Sequence, residues 1–187
     1  MAFLNNFRAK SPALFFGSIA CIVGFSVPSA WSQAVNESEA KAAFLYHFTH
    51  FVVWPARSLP KSPSPFVIGI LGEDPFGTIL DQTIQDEVVE GRKIVVERYP
   101  NLASLKTCQI LFISRSEERR LDEILSALKD KPILTVADMP QFAKRGGTIN
   151  LITERNKIRI AVNVSTTQAR QLTFSSNLLR AAEIVEP

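Results

Sequence analysis

The run FVIGILG, residues 66–72, most constrains what this chain can fold into. Apart from its glycines it is apolar throughout, it has the length of a strand, and turn signals bound it, the pattern of a strand buried on both faces. Such a strand needs covering layers above and below it. The following sequence supplies them in alternation: a helix from about Phe76 to Glu87, the strands KIVVERY and CQILFIS, a helix from about Ser116 to Lys129, the strand ILTV and a short helical piece, DMPQFAKR. TINLIT and KIRIAVN flank a polar ERN tip and read as a hairpin, and two short helical pieces close the chain, the second being SSNLLRAAEIV. The expectation is an α/β fold, a mostly parallel mixed sheet flanked by helices, with an antiparallel hairpin near the C-terminus.

Two segments precede the sheet. In the first, Arg8 and Lys10 lead into an uncharged apolar run from Ala13 to Val27, and Ser32-Gln33-Ala34 offers small residues for cleavage. That is the plan of a secretory signal peptide over residues 1–34, leaving a single domain at 35–187 in the periplasm. A retained anchor fits less well, because Gly17, Gly24 and Pro28 interrupt a run shorter than the roughly 20 residues a membrane span needs. Removing the leader takes two of 21 basic residues against 18 acidic ones, so the net charge falls from +3 to +1. No basic patch with interleaved aromatics stands out, and no nucleic acid partner is expected. Cys108 is left as a lone cysteine in an apolar strand, where a thiol is usually inert.

The second segment is KAAFLYHFTHFVVWP, residues 41–55. Early acidic residues, three alanines and Pro55 as a stop predict a helix from Glu37 to Val53. At about 100° per residue, Phe44, Leu45, Phe48, Phe51 and Val52 share a core face. Ala43, His47, His50 and Trp54 form an adjoining arc, with Tyr46 and Val53 behind it. Two readings stay open. Either the arc packs against the Pro-rich linker or the terminal helix, or Tyr46, His47, His50 and Trp54 make a partner-binding face, since these side chains join apolar area to a polar edge.

Candidate chemistry is sparse. GEDPFG lacks the Lys and Ser or Thr of a phosphate loop, and its Asp74 and Pro75 suit a helix start. Asp74, Ser114 and Asp138 all follow strands and would meet at the carboxyl edge of the sheet, a ligand-binding position in α/β folds; Asp138 also reads as a helix cap. His47 and His50 lack the third and fourth ligands of a metal site, and FAKRGGTI reads as a helix end turning into a strand. No nucleophile with a base beside it is visible, so no catalytic residue, metal or cofactor is expected.

KAAFLYHFTHFVVWP, FVIGILGEDPFG, CQILFIS, LTVADMPQFAKRGGTINLI and IRIAVNVSTTQARQLTFSSNLLRAA stand in this order, and together they resemble the YfiR family over nearly all of the expected domain. The resemblance implies a periplasmic α/β protein without catalysis that represses a membrane diguanylate cyclase through the cyclase's periplasmic sensor domain, and so controls cyclic-di-GMP and biofilm formation. It also allows a homodimer and an outer-membrane lipoprotein as a second partner. The family's namesake carries disulfides. Here Cys108 matches one of those cysteines while Gly69 stands where its partner is expected, and GGTINL has none of the others, so the resemblance implies no redox switch within one chain. The other class of function left open is a small-ligand receptor with its pocket at Asp74, Ser114 and Asp138.

Overall fold

A computed structural model of the chain describes residues 29–59, 64–155 and 157–186. Most of the expected leader lies outside the described residues. Helix α1 (Ser29–Phe51) runs into β1 (Val52–Val53), and after the linker come β2 (Phe66–Leu71), α2 (Thr78–Thr83), β3 (Val88–Val89) and β4 (Arg92–Tyr99). Then follow β5 (Ile110–Ile113), α3 (Leu121–Ala127), β6 (Leu134–Ala137), β7 (Ile149–Glu154), β8 (Lys157–Asn163), α4 (Val164–Ala169), β9 (Thr173–Phe174), α5 (Ser176–Ala181) and β10 (Glu183–Val185).

Eight strands form one sheet in the order β10-β8-β7-β6-β5-β2-β4-β3, and β1 pairs with β9 in a second, two-stranded one. Pairing is parallel from β4 through β2, β5 and β6 to β7, antiparallel in the β7–β8 and β3–β4 hairpins, and parallel again between β8 and β10. The mostly parallel mixed sheet with its late hairpin is the architecture that the sequence predicts. Every residue of β2, β5 and β6 is buried. Alternation along β2 explains why: Ile68 and Ile70 join the core that holds Leu45, Phe48 and Leu80 of the α1 and α2 layer, whereas Val67 and Leu71 join the core under Leu121, Ile124 and Leu125 of α3. Each such aliphatic side chain contributes roughly 1.5–3 kcal/mol on burial.

Several element limits differ from expectation, each for a local reason. Asp74 does not cap α2: its Oδ1 accepts from the Phe76 amide at 2.7 Å, a tight turn that places Gly77, at φ +53°, before the helix. The helix is correspondingly short, and Glu90 and Gly91, both at positive φ, turn β3 into β4 as a two-residue hairpin. Asp138 caps nothing, because DMPQFAKR forms turns rather than a helix, with Gln141 at φ +58°. The segment from Ser116 opens as a 3-10 helix, Arg115–Arg120, before becoming α3. The end of SSNLLRAAEIV leaves the helix and pairs along β8.

Candidate functional site

Helix α1 lies across one face of the sheet, with Leu45 and Phe48 in the core and His47 and His50 exposed. Tyr46 is half-buried. Its hydroxyl donates to Glu87 Oε2 at 2.7 Å, and this hydrogen bond holds the phenol above its usual pKa range, so the proton stays on tyrosine. The Tyr46 ring packs against both imidazoles, with centroids 5.4 Å from His47 and 5.2 Å from His50; His47 also lies 6.4 Å from the Phe51 ring. Tyr46, His47 and His50 therefore form one cluster.

Trp54 does not belong to it. The helix stops at Phe51, so the 100° arc ends there, and β1 alternates at period two: Val52 and Trp54 point inward while Val53 is 62 % exposed. The Trp54 indole N–H donates to the Gln109 carbonyl at 3.1 Å, and its ring meets Phe66 edge-on at 5.1 Å. Its polar edge is thus satisfied inside the core. Where the sequence places Trp54 on the outer arc, the structure buries it and exposes its neighbour Val53, and it exposes Val88 to 48 %, next in sequence to the Glu87 that holds Tyr46. Glycine at the EGR turn signals the β3–β4 hairpin in the sequence, but nothing there marks Val88 as outward.

The carboxyl edge does gather Asp74, Ser114 and Asp138 at the ends of β2, β5 and β6. Each is engaged by the protein itself. Asp74 Oδ2 accepts from Arg98 Nε at 2.6 Å, and the same guanidinium donates to Asp81 and the Gly77 carbonyl; its hydrogen bonds to Asp81, and next to Asp74, hold its pKa above the usual arginine value. Ser114 is buried and its hydroxyl accepts from the Ser116 amide at 3.4 Å. Asp138 accepts from Lys41 Nζ at 2.5 Å on one oxygen and from Arg115 Nε at 3.2 Å on the other. Lys41, itself 7 % exposed, also pairs with Glu37 one turn earlier, and Glu37 accepts from the Thr153 hydroxyl at 2.8 Å. Hydrogen bonding from Lys41 holds the Glu37 carboxyl below its usual value. Together with Ser38, which donates to the Pro75 carbonyl at 3.3 Å, these contacts lay residues 37–41 of α1 across the edge where a ligand would enter. Gly72, at φ +88°, lets the turn after β5 approach: a Cβ there would sit 2.3 Å from Ser116 Oγ.

Cys108 is buried, and burial pushes its thiol up to about 12, with the Glu97 carboxylate adding to the shift. A Cβ on Gly69 would lie 3.4 Å from Cys108 Sγ but 2.9 Å from Tyr99 Cε2, so an aromatic ring fills part of the space beside this thiol. One cavity, of about 400 Å³, opens near Cys108 between Ser58, Lys106 and Lys131; another, of about 460 Å³, lies by Phe44, Ile158 and Ala182. Neither touches Asp74, Ser114 or Asp138. Among the described residues no group of three or more His, Cys, Asp or Glu side chains could hold a metal ion.

A sequence profile described as YfiR/HmsC-like matches residues 38–183. No curated protein matches the chain. Two solved structures are similar: the ABC domain from Streptococcus pneumonia in complex with L-Trp, at TM-score 0.49 and 9 % identity over 64 % of this chain and 55 % of that one, and the TT0316 protein from Thermus thermophilus, at TM-score 0.29 and 15 % identity over 59 % and 43 %. The chain thus spans about half the length of each.

Proposed function

The chain belongs to the YfiR/HmsC-like family, and on that premise we propose that it is a non-catalytic periplasmic repressor of a membrane diguanylate cyclase. Its domain, residues 35–187, reaches the periplasm behind a cleaved leader and binds the sensor domain of the cyclase, keeping cyclic-di-GMP low and biofilm formation in check. An outer-membrane lipoprotein competing for the same protein relieves the repression. Contact with the cyclase is made by Tyr46, His47 and His50 of α1, extended by Val53 and Val88.

The observation that carries the contact surface is the stripe of half-buried Tyr46, exposed His50 and exposed Val53, in which aromatic and apolar area reaches solvent at the end of α1 and on β1. The carboxyl edge lends the receptor reading no comparable support, since the polar groups of Asp74, Ser114 and Asp138 already hold partners within the protein. Relief through the thiol is disfavoured by the burial of Cys108.

Cellular cyclic-di-GMP, measured in a strain lacking the protein and in the same strain complemented, tests the reading. A rise on deletion that complementation reverses is expected. Unchanged cyclic-di-GMP across growth conditions overturns the repressor function.

A further inference from the structure

We propose that the partner segment covering the outer face of α1 carries a cationic side chain that pairs with Glu87. The inference rests on the docking reading given above and concerns the chemistry of what docks there.

Most carboxylates around α1 are neutralised within the protein. Glu37 and Asp138 share the Lys41 ammonium, Arg115 adds to Asp138, Arg98 holds Asp74 and Asp81, and Arg159 on β8 holds Glu154 and Glu183. In the hairpin beside Glu87, Arg92 takes Glu90. Glu87 has no such cation: among the described residues its carboxylate bonds only the Tyr46 hydroxyl, at 2.7 Å on Oε2. That phenol is neutral and keeps its proton, so it satisfies one oxygen and leaves the charge uncompensated. Asp86, exposed beside it, adds a second negative charge. Lys93, exposed across the hairpin from Val88, forms no ion pair with either carboxylate, and neither do His47 and His50. Glu39 on α1 is also without an ion pair, but it is exposed to solvent and two turns from His47.

Docking turns this into a requirement on the partner. Glu87 is half-buried and bonded to the residue that docking would cover, so a partner seated on Tyr46, His50 and Val53 takes water from the carboxylate as well. An ionised carboxylate that loses water without gaining a counter-charge opposes binding. A cation supplied by the partner removes that opposition and adds a charge-assisted hydrogen bond at the free Oε1. A guanidinium brings, besides its donors, a flat face that stacks on aromatic rings, and Tyr46 with His47 and His50 presents three of them at centroid spacings of 5.4 and 5.2 Å. An acidic segment, by contrast, would meet Glu87 and Asp86 as like charges and be turned away.

The test is cellular cyclic-di-GMP in the strain lacking the protein, uncomplemented and complemented with wild type, Glu87→Gln, Asp86→Asn, Glu90→Gln or Val53→Glu. Accumulation and the unfolding transition of each variant are compared with wild type. Glu87→Gln keeps an amide oxygen to accept from Tyr46 and removes the charge, so a partner offering a neutral donor would lose nothing. With a cation in the partner, repression by Glu87→Gln should weaken about tenfold while the variant accumulates and unfolds like wild type. Glu90→Gln removes a charge from the same hairpin and should repress like wild type. Wild-type repression by Glu87→Gln, or an equal loss from Glu90→Gln, overturns the cation. Should Glu87→Gln fail to fold, Asp86→Asn decides: at an exposed position of left-handed backbone that asparagine tolerates, it should weaken repression about threefold, and unchanged repression overturns the proposal. Loss of repression by Val53→Glu beside full repression by Glu87→Gln leaves the docking reading standing while the cation falls, so the two claims fail separately. Full repression by Val53→Glu removes the docking reading and the pairing together.

Discussion

The outer face of α1 and the carboxyl edge of the sheet both gather polar side chains, and they differ in where those side chains find partners. At the edge, Lys41, Arg98 and Arg115 hold Asp138 and Asp74, and residues 37–41 of α1 lie across it. On the outer face the imidazoles of His47 and His50 pack on the Tyr46 ring, and Val53 and Val88 meet solvent. Position in an α/β sheet is therefore a weaker guide to function than whether the groups at that position are already used. The same helix serves both regions, anchored by charge at Glu37 and Lys41 and displaying aromatics near its end.

The strongest way to break the comparison is Trp54→Ala, which should behave as a core mutation rather than a surface one. It removes the Phe66 contact and the indole hydrogen bond to the Gln109 carbonyl, which keeps the Leu134 amide as its other donor, for a loss of about 3–5 kcal/mol in denaturant unfolding, whereas Tyr46→Ala, at a half-buried site, should lose about 1 kcal/mol. Equal and small effects would put Trp54 back on the surface. Next is Lys41→Met, which leaves two carboxylates at the edge without the ammonium between them, at a cost of about 3 kcal/mol. A variant as stable as wild type would show that α1 does not depend on this anchor.

The anchor also fixes a pH dependence. Glu37 is held below its usual value in the folded protein, so its contribution is present above about pH 4.5 and is lost as pH falls through the lower, folded value. Because Glu37 is partly exposed, the effect is small and belongs to the acid limb of a stability profile. It should vanish in Lys41→Met. Gly69→Cys sharpens the description of the thiol. Its Cβ would stand 3.4 Å from Cys108 Sγ, so a disulfide should form once the Tyr99 ring shifts, raising stability by about 2 kcal/mol, less than the chain-entropy value for so long a loop. Free-thiol titration under oxidising conditions checks it; a thiol at Cys108 that stays titratable would contradict the geometry.

Much of the fold was legible because its signals are periodic. FVIGILG and CQILFIS read as strands buried on both faces and are so, and the TINLIT and KIRIAVN hairpin follows from its polar tip. Turns decided the rest. The length of α2 depends on the Asp74 side chain bonding the Phe76 amide, and the turns of DMPQFAKR on a positive φ at Gln141, neither of which has a period. The site was legible only in part for a related reason. Helical spacing holds through His50, then fails at Trp54, because the chain changes from period 3.6 to period 2 after Phe51. Glu37 at i−4 marks Lys41 only as half of a helix ion pair, because the partner that ties it to the sheet, Asp138, is 97 residues away.

The central claim is that repression runs through the outer face of α1, and Val53→Glu tests it most directly, because it places a charge at the exposed end of the stripe without touching the core. Cellular cyclic-di-GMP should rise to the level of the strain lacking the protein, while the variant accumulates and unfolds like wild type. Wild-type cyclic-di-GMP with Val53→Glu folded and present would contradict the account.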